Sequence, residues 1–195
     1  MWWRLPTSKF MKNRGESNRT ALKEIVNLGR CPGILAYMGK QPIGWCALAP
    51  REEYPKLERS RILKRIDEER VWSVVCFFVD KKFRRRGLTV KLLEAAKVYV
   101  ENIGGAVIEG YPLDLKVKKT PDAFAYTGLL PAFLKAGFVE VARRSQNRPI
   151  VRFRVGTDSE EGGTIRSIQK PHLSGHVRKA FKGNPKNGHF RHVNV

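Results

Sequence analysis

Apolar positions recur along the chain in two alternating periods, and glycine or proline marks most of the changes between them. Residues 18–29, NRTALKEIVNLG, carry apolar side chains at 21, 22, 25, 26 and 28, the spacing of one helix face. Ser17 or Asn18 is placed to cap this helix and Gly29 to stop it. Two extended runs follow, GILAYMG (33–39) and QPIGWCALAP (41–50), joined by a tight turn at Gly39-Lys40. Residues 51–70 are mostly charged, with Leu57, Ile62, Leu63 and Ile66 as a sparse apolar face. VWSVVCFFV (71–79) is β-branched and aromatic and predicts a buried strand. LTVKLLEAAKVYVENIG (88–104) returns to helical spacing and stops at Gly104-Gly105. AVIEGYPL (106–113) reads as a strand ended by Pro112, and LLPAFLKAGF (129–138) as a short helix ending at Gly137. VEVARR (139–144) and PIVRFRV (149–155) form a hairpin pattern across SQNR.

Helices alternating with strands over residues 1–155 predict an α/β domain. Residues 156–195 differ: six glycines, two prolines, all four histidines and few large apolar residues predict a basic, loosely ordered tail. His172, His176, His189 and His192 invite a metal reading there, but no cysteine or carboxylate cluster accompanies them, and no metal is expected.

Charge changes the picture more than composition does. The chain carries 38 Lys and Arg against 18 Asp and Glu, a net +20. Residues 1–155 hold 31 of the basic and 15 of the acidic groups, so the domain itself is near +16. Such a field favours anionic partners, including nucleotides, cofactor phosphates and RNA. No apolar run approaches the roughly 20 residues of a membrane span. Three scattered cysteines, Cys31, Cys46 and Cys76, suit neither a disulfide framework nor a zinc site. The start MWWRLPTSKF lacks a signal-peptide pattern. A reduced, cytoplasmic protein is the expectation, with a homodimer as one possible assembly. GILAYMGKQ is a false phosphate loop, because five residues separate its glycines and Gln41 stands where a magnesium-binding hydroxyl belongs.

The candidate chemistry lies at DKKFRRRGLTVKLLE (80–94), between the buried strand and the long helix. The first amides of a helix are unpaired and carry the positive end of its dipole, which suits an anion. Gly87 lets the backbone approach a ligand closely, Leu88 and Thr89 open the first turn, and Arg84, Arg85 and Arg86 add charge. A pyrophosphate fits this set; a solvated or RNA-binding arm is the other reading.

Arg84-x-x-Gly87-x-Thr89 resembles the R/Q-x-x-G-x-G/A signature of the GNAT acetyltransferase superfamily, with Thr at the last place. AFLKAGFVEV (132–141) is similar to its second signature, and the order of elements over residues 18–155 matches. WWRLP, GWCALAPREEYPKLERSR, VWSVVCFFV and VIEGYPLD also look like a poorly characterised bacterial subgroup. The resemblance implies a mixed, mostly antiparallel twisted sheet flanked by helices, with a first strand absent or reduced to residues 2–5. It implies acetyl-CoA as acyl donor, with its pantetheine arm along the edge Phe77-Phe78-Val79 and its phosphates on residues 84–89. Phe133 then stands near the donor, where relatives carry the tyrosine that protonates the leaving thiolate. Tyr126 is a substitute acid, or packs. Glu109, which shares a strand face with Tyr111, is the candidate base, or caps a turn, or pairs with an arginine. The implied function is acetyl transfer from acetyl-CoA to a primary amine; the alternative is a non-catalytic acyl-CoA- or RNA-binding module.

Overall fold

A computed structural model describes residues 1–116, 122–156 and 189–192, with residues 122–124 and 189–192 as backbone. Helices α1 (Thr7–Lys12) and α2 (Glu16–Asn27) lead into the hairpin of β1 (Gly33–Met38) and β2 (Gln41–Pro50). A 3-10 turn and the short α3 (Pro55–Glu58) follow, then β3 (Trp72–Val79), the long α4 (Leu88–Asn102) and β4 (Val107–Gly110). Helix α5 (Leu130–Lys135) and the hairpin of β5 (Val139–Arg143) and β6 (Pro149–Arg154) complete the domain. A last strand, β7 (His189–His192), pairs antiparallel with β1. The sheet order is β5-β6-β4-β3-β2-β1-β7, and β3–β4 is its one parallel pair among the described residues.

At the start of the chain residues 2–5 form a turn, so of the two alternatives the first strand is absent there rather than reduced to residues 2–5. One expectation is corrected. Helix α2 begins at Glu16 behind Gly15, without a side-chain cap, and the Asn18 amide donates to the Phe10 carbonyl instead. The edge of β1 opposite β2 is occupied by β7, from the segment read as tail. Residues 157–188 and 193–195, with His172 and His176, lie outside the described residues.

One face of the sheet packs on α4 and α5, where Leu92, Leu93, Ala96 and Val100 meet Ile34, Leu48, Val74 and Ile108. On the other face Tyr54, Leu57 and Leu63, from the charged stretch 51–70, cover Ala49, Val75, Tyr111 and Ile150. That stretch turns its apolar residues inward and keeps most of its charges outward, with the buried Arg51 as the exception. Among the described residues, no helix is long and apolar enough to cross a membrane.

Strand β3 carries the irregularity that matters most. Ala47 faces Cys76 and Leu48 faces Val74, so Val75 has no counterpart on β2. This is a β-bulge, and it reverses the side-chain alternation. Trp72 and Val74 before it, and Phe77 and Val79 after it, lie on the α4 face. Val75 and Cys76 both lie on the opposite face. Pairing of β3 with β4 covers Trp72, Ser73 and Val74 only. From Val75 to Val79 that edge of β3 has no strand partner among the described residues.

Candidate functional site

The basic turn lies at the far end of this open edge. Asp80 caps a 3-10 turn over Lys81–Phe83 by accepting from the Lys82 amide. The chain then passes through Arg85 at φ +60 and Gly87 at φ +74 into α4. Arg85 is the only non-glycine residue with positive φ among those described, and such backbone strain concentrates at ligand sites. The amides of residues 84–90 donate to no carbonyl among the described residues, and the first bond into the helix is Lys91 to the Gly87 carbonyl. Leu88 is buried against Gly44 and fixes the start of the helix. Arg84, Arg85, Arg86 and Gly87 are exposed, and Thr89 is half-buried. Arg84 Nε donates to the Val79 carbonyl at 3.1 Å, which ties the turn to the strand end. Arg86 lies over the Phe83 ring at 5.7 Å. Unpaired amides, three exposed guanidiniums and open space at the Gly87 Cα fit a pyrophosphate.

The other predicted residues divide. Phe78 is 59% exposed beside the open edge, and Val79 is half-buried. Phe77 points the other way, into the α4 core. Phe133 is fully buried, its ring edge-on to Phe77 at 5.9 Å and to Phe138 at 5.2 Å. It is a core wedge beside the place where β3 and β4 part, and presents no surface to a ligand here.

Glu109 is 1% exposed, and its carboxylate is fully engaged. Oε1 accepts from Arg51 Nη1 at 2.7 Å and from the Tyr111 hydroxyl at 2.6 Å, and Oε2 accepts from Arg152 Nε at 2.8 Å. Arg51 also donates to Glu58 and to the Leu63 carbonyl, and Arg152 to Asp67 and Glu69. Burial opposes the Arg51 charge, but Tyr111, Glu58 and Glu109 outweigh it and hold its pKa above the ordinary value. Period two did put Glu109 and Tyr111 on one face, but that face looks into the second core. With both oxygens held by guanidiniums, Glu109 has no position from which to take a proton from an amine, and pairing with arginine is its observed role.

Two more exposed carboxylates titrate with folding, Asp67 at the rim of this network and Glu140 in a separate pair with Arg143. The hydrogen bond from Arg152 lowers the Asp67 pKa, and that from Arg143 lowers the Glu140 pKa. A carboxylate depressed by folding contributes stability above its unfolded pKa, about 4, and loses it as pH falls through the folded value. Thermal unfolding followed by circular dichroism should therefore show Tm constant from pH 7 to 5 and falling below about pH 4. An Asp67→Asn variant should show a shallower fall.

Tyr126 lies in the 3-10 stretch Asp122–Thr127, which packs against β3. Burial raises its pKa, and the nearby Arg148 works the other way. Sequence reasoning missed Arg148. It is half-buried, donates to Thr127 Oγ1 at 2.9 Å and to the Tyr111 carbonyl at 3.2 Å, and has no carboxylate partner among the described residues. Tyr126 and Cys76 line one wall of a cavity of about 470 Å³ whose other walls come from Trp2, Trp3, Trp45 and Tyr54. Burial pushes the Cys76 thiol up, away from a reactive thiolate. Among the described residues no cluster of His, Cys, Asp or Glu could hold a metal ion.

A helix whose N-terminal turn can take a pyrophosphate, and a bulged strand with an open edge leading from it toward an open, aromatic-walled pocket, define a class: α/β domains shaped for a long phosphorylated ligand. The family model of the acetyltransferase (GNAT) family matches residues 1–109, and the chain belongs to that family. Solved structures share the fold at low identity. One acetyltransferase is 14% identical with a TM-score of 0.50, over 75% of this chain and 85% of the other. An acetyltransferase of the GNAT family from Streptococcus pneumoniae is 12% identical with a TM-score of 0.47, over 73% and 78%. A Salmonella typhimurium protein solved with its cofactor acetyl-CoA is 12% identical with a TM-score of 0.47, over 73% and 75%. No curated protein matches the chain.

Proposed function

We propose that this protein is an acetyl-CoA-dependent N-acetyltransferase acting on a primary amine. The observation that carries the reading is the Arg84–Thr89 turn, with its unpartnered amides, standing at the end of an unpaired strand edge. The amides of residues 85–89 and the three arginines would hold the donor's phosphates. The free edge of Phe77-Phe78-Val79 would pair with the amides of its pantetheine arm as an added strand does. About 10 Å of strand separates Val79 from the bulge at Val75-Cys76, where a backbone N–H can stabilise a developing oxyanion. Acetyl-CoA supplies a thioester: a C–N bond forms as the C–S bond breaks, the nitrogen gives up a proton and the sulfur takes one. Tyr126 is the residue we assign to the proton at sulfur, with Arg148 favouring its ionised form afterwards. Among the described residues no carboxylate lines the cavity, so the amine reaches the site neutral, or loses its proton to water.

Calorimetry with acetyl-CoA tests the reading. The wild type should bind. Gly87→Val should abolish binding, because a β-branched residue at φ +74 is strained and the turn must change. Arg85→Ala should weaken binding only modestly, since an exposed charge is screened. Unchanged affinity in the Gly87 variant would remove the donor assignment. Removing the Tyr126 hydroxyl by Tyr126→Phe should leave binding intact and slow thiol release about 10²-fold or less, because a thiolate is a tolerable leaving group.

A further inference from the structure

The cavity beyond the bulge has features that the acyl-donor turn does not explain. Its walls are aromatic, and the unpartnered polar atoms of its lining residues can all donate. Among the buried polar atoms without a partner are Trp3 Nε1, Arg4 Nη2 and the Tyr54 hydroxyl, and all three residues line this cavity. Tyr54 is 2% exposed and the Arg4 side chain 9%. Each unpartnered atom can donate, and a buried donor without an acceptor is costly. An incoming group that accepts hydrogen bonds relieves this.

The charge around the cavity agrees. Arg4 and Arg30 share a single carboxylate, Glu53, which leaves one positive charge in excess. Lys56 adds another; its Nζ is buried, has no hydrogen-bond partner and lies 3.0 Å from the centre of the Trp2 ring. Burial lowers its pKa. Arg4 lies over the Tyr54 ring at 4.8 Å. An aromatic box commonly attracts an ammonium group, but here the protein's own cations already cover two of the rings. Among the described residues no aspartate or glutamate lines the walls. A polycationic acceptor would meet like charge with nothing to offset it.

Resting on the acetyltransferase reading above, we infer that the acceptor is a small amphipathic amine: an aromatic or large apolar body filling the Trp2–Trp3–Trp45 box, and a carboxylate or similar anion on Arg4 and Tyr54. An aromatic amino acid has this chemistry. The neighbouring cations also disfavour an ammonium, so the substrate amine is held in the neutral form that attacks. Its nitrogen bonds to the acetyl carbon, the thioester C–S bond breaks, and one proton passes from nitrogen to the leaving thiol. A volume of about 470 Å³ suits a ligand of this size.

Three of the four tryptophans line the cavity, so intrinsic fluorescence reads its occupancy without turnover. The probes are phenylalanine, phenethylamine, which lacks the carboxylate, and spermidine, each titrated at pH 8.5 into the full chain. Phenylalanine should perturb the fluorescence saturably, phenethylamine should bind roughly 10- to 100-fold more weakly for want of a charge-assisted bond, and spermidine should not bind. Arg4→Gln should erase the preference for phenylalanine over phenethylamine and leave acetyl-CoA affinity unchanged. Should that variant not fold, Tyr54→Phe removes only the hydroxyl, and should weaken phenylalanine several-fold and not phenethylamine. Equal binding of the two aromatic amines, or a preference for spermidine, with acetyl-CoA binding intact, overturns the acceptor class and leaves the transferase reading standing. Failure of the wild type to bind acetyl-CoA removes the transferase reading, and the acceptor role with it, whatever the fluorescence shows.

Discussion

Replacing Glu109 with alanine should cost about 3–5 kcal/mol of folding stability, enough to leave a domain of ordinary stability, about 5–15 kcal/mol, at or near unfolding. The reason is what stays behind. Arg51 is 1% exposed and Arg152 is 5% exposed, and Glu109 is the carboxylate they share across the β4–β6 pairing. Arg51 would keep Glu58 and Arg152 would keep Asp67, both nearer solvent, but the buried centre between the two guanidiniums would carry uncompensated charge. Glu109→Gln should fall between wild type and alanine, since the amide keeps the shape and one acceptor but loses the charge. Urea denaturation measures all three. A Glu109→Gln protein of full stability whose kcat collapses and whose pH–rate profile changes would return this residue to the chemistry; activity lost only in step with stability confirms its place in the core.

Gly110→Val should also be severe. A Cβ at position 110 would lie 2.2 Å from Phe133 Cε1, and one at Gly128 would lie 2.8 Å from Phe133 Cε2. The ring is a wedge between two glycines, with Phe77 and Phe138 edge-on around it. Overpacking a closed core costs about 1–3 kcal/mol, occasionally more, and a ring held on all sides has little room to yield. A smaller ring-side partner should restore part of the loss: Gly110→Ala with Phe133→Leu should be more stable than the sum of the two single changes implies, a coupling visible in a double-mutant cycle. Additive effects would mean the wedge is not where the strain falls.

The contrast between these residues and the basic turn explains what could be read in the sequence. The turn was legible because everything it needs is local: a strand directly before it, then five basic residues among the first seven, a glycine and the start of a helix within DKKFRRRGLTVKLLE. The strands β1 and β2 were legible for the same reason, through period-two alternation and the Gly39 turn. Glu109 was legible only as far as its face. Its partners come from 58 residues before and 43 residues after it, and nothing in the spacing of charges in 51–70 says which arginine turns inward. The cavity was hidden more completely, since Trp2, Trp3, Arg4, Trp45, Tyr54 and Tyr126 meet only once the sheet is assembled. The extra residue at Val75 reverses which side chains face it, and a bulge leaves no mark on a pattern as uniformly apolar as VWSVVCFFV.

The shortness of the β3–β4 pairing has a mechanical meaning. Among the described residues three pairs, 72–74 with 108–110, are the seam between the panel of β1, β2, β3 and β7 and the panel of β4, β5 and β6. Across the rest of the junction the panels are coupled by side chains from α4, α5 and the Phe133 wedge rather than by backbone ladder. A ligand that pairs with the open edge of β3 lengthens that seam, so the molecule the enzyme consumes also acts as mortar between its halves. On the acyl-donor reading proposed above, binding and release of that ligand would stiffen and loosen the sheet, and the cooperativity of the fold would follow the occupancy of its cleft.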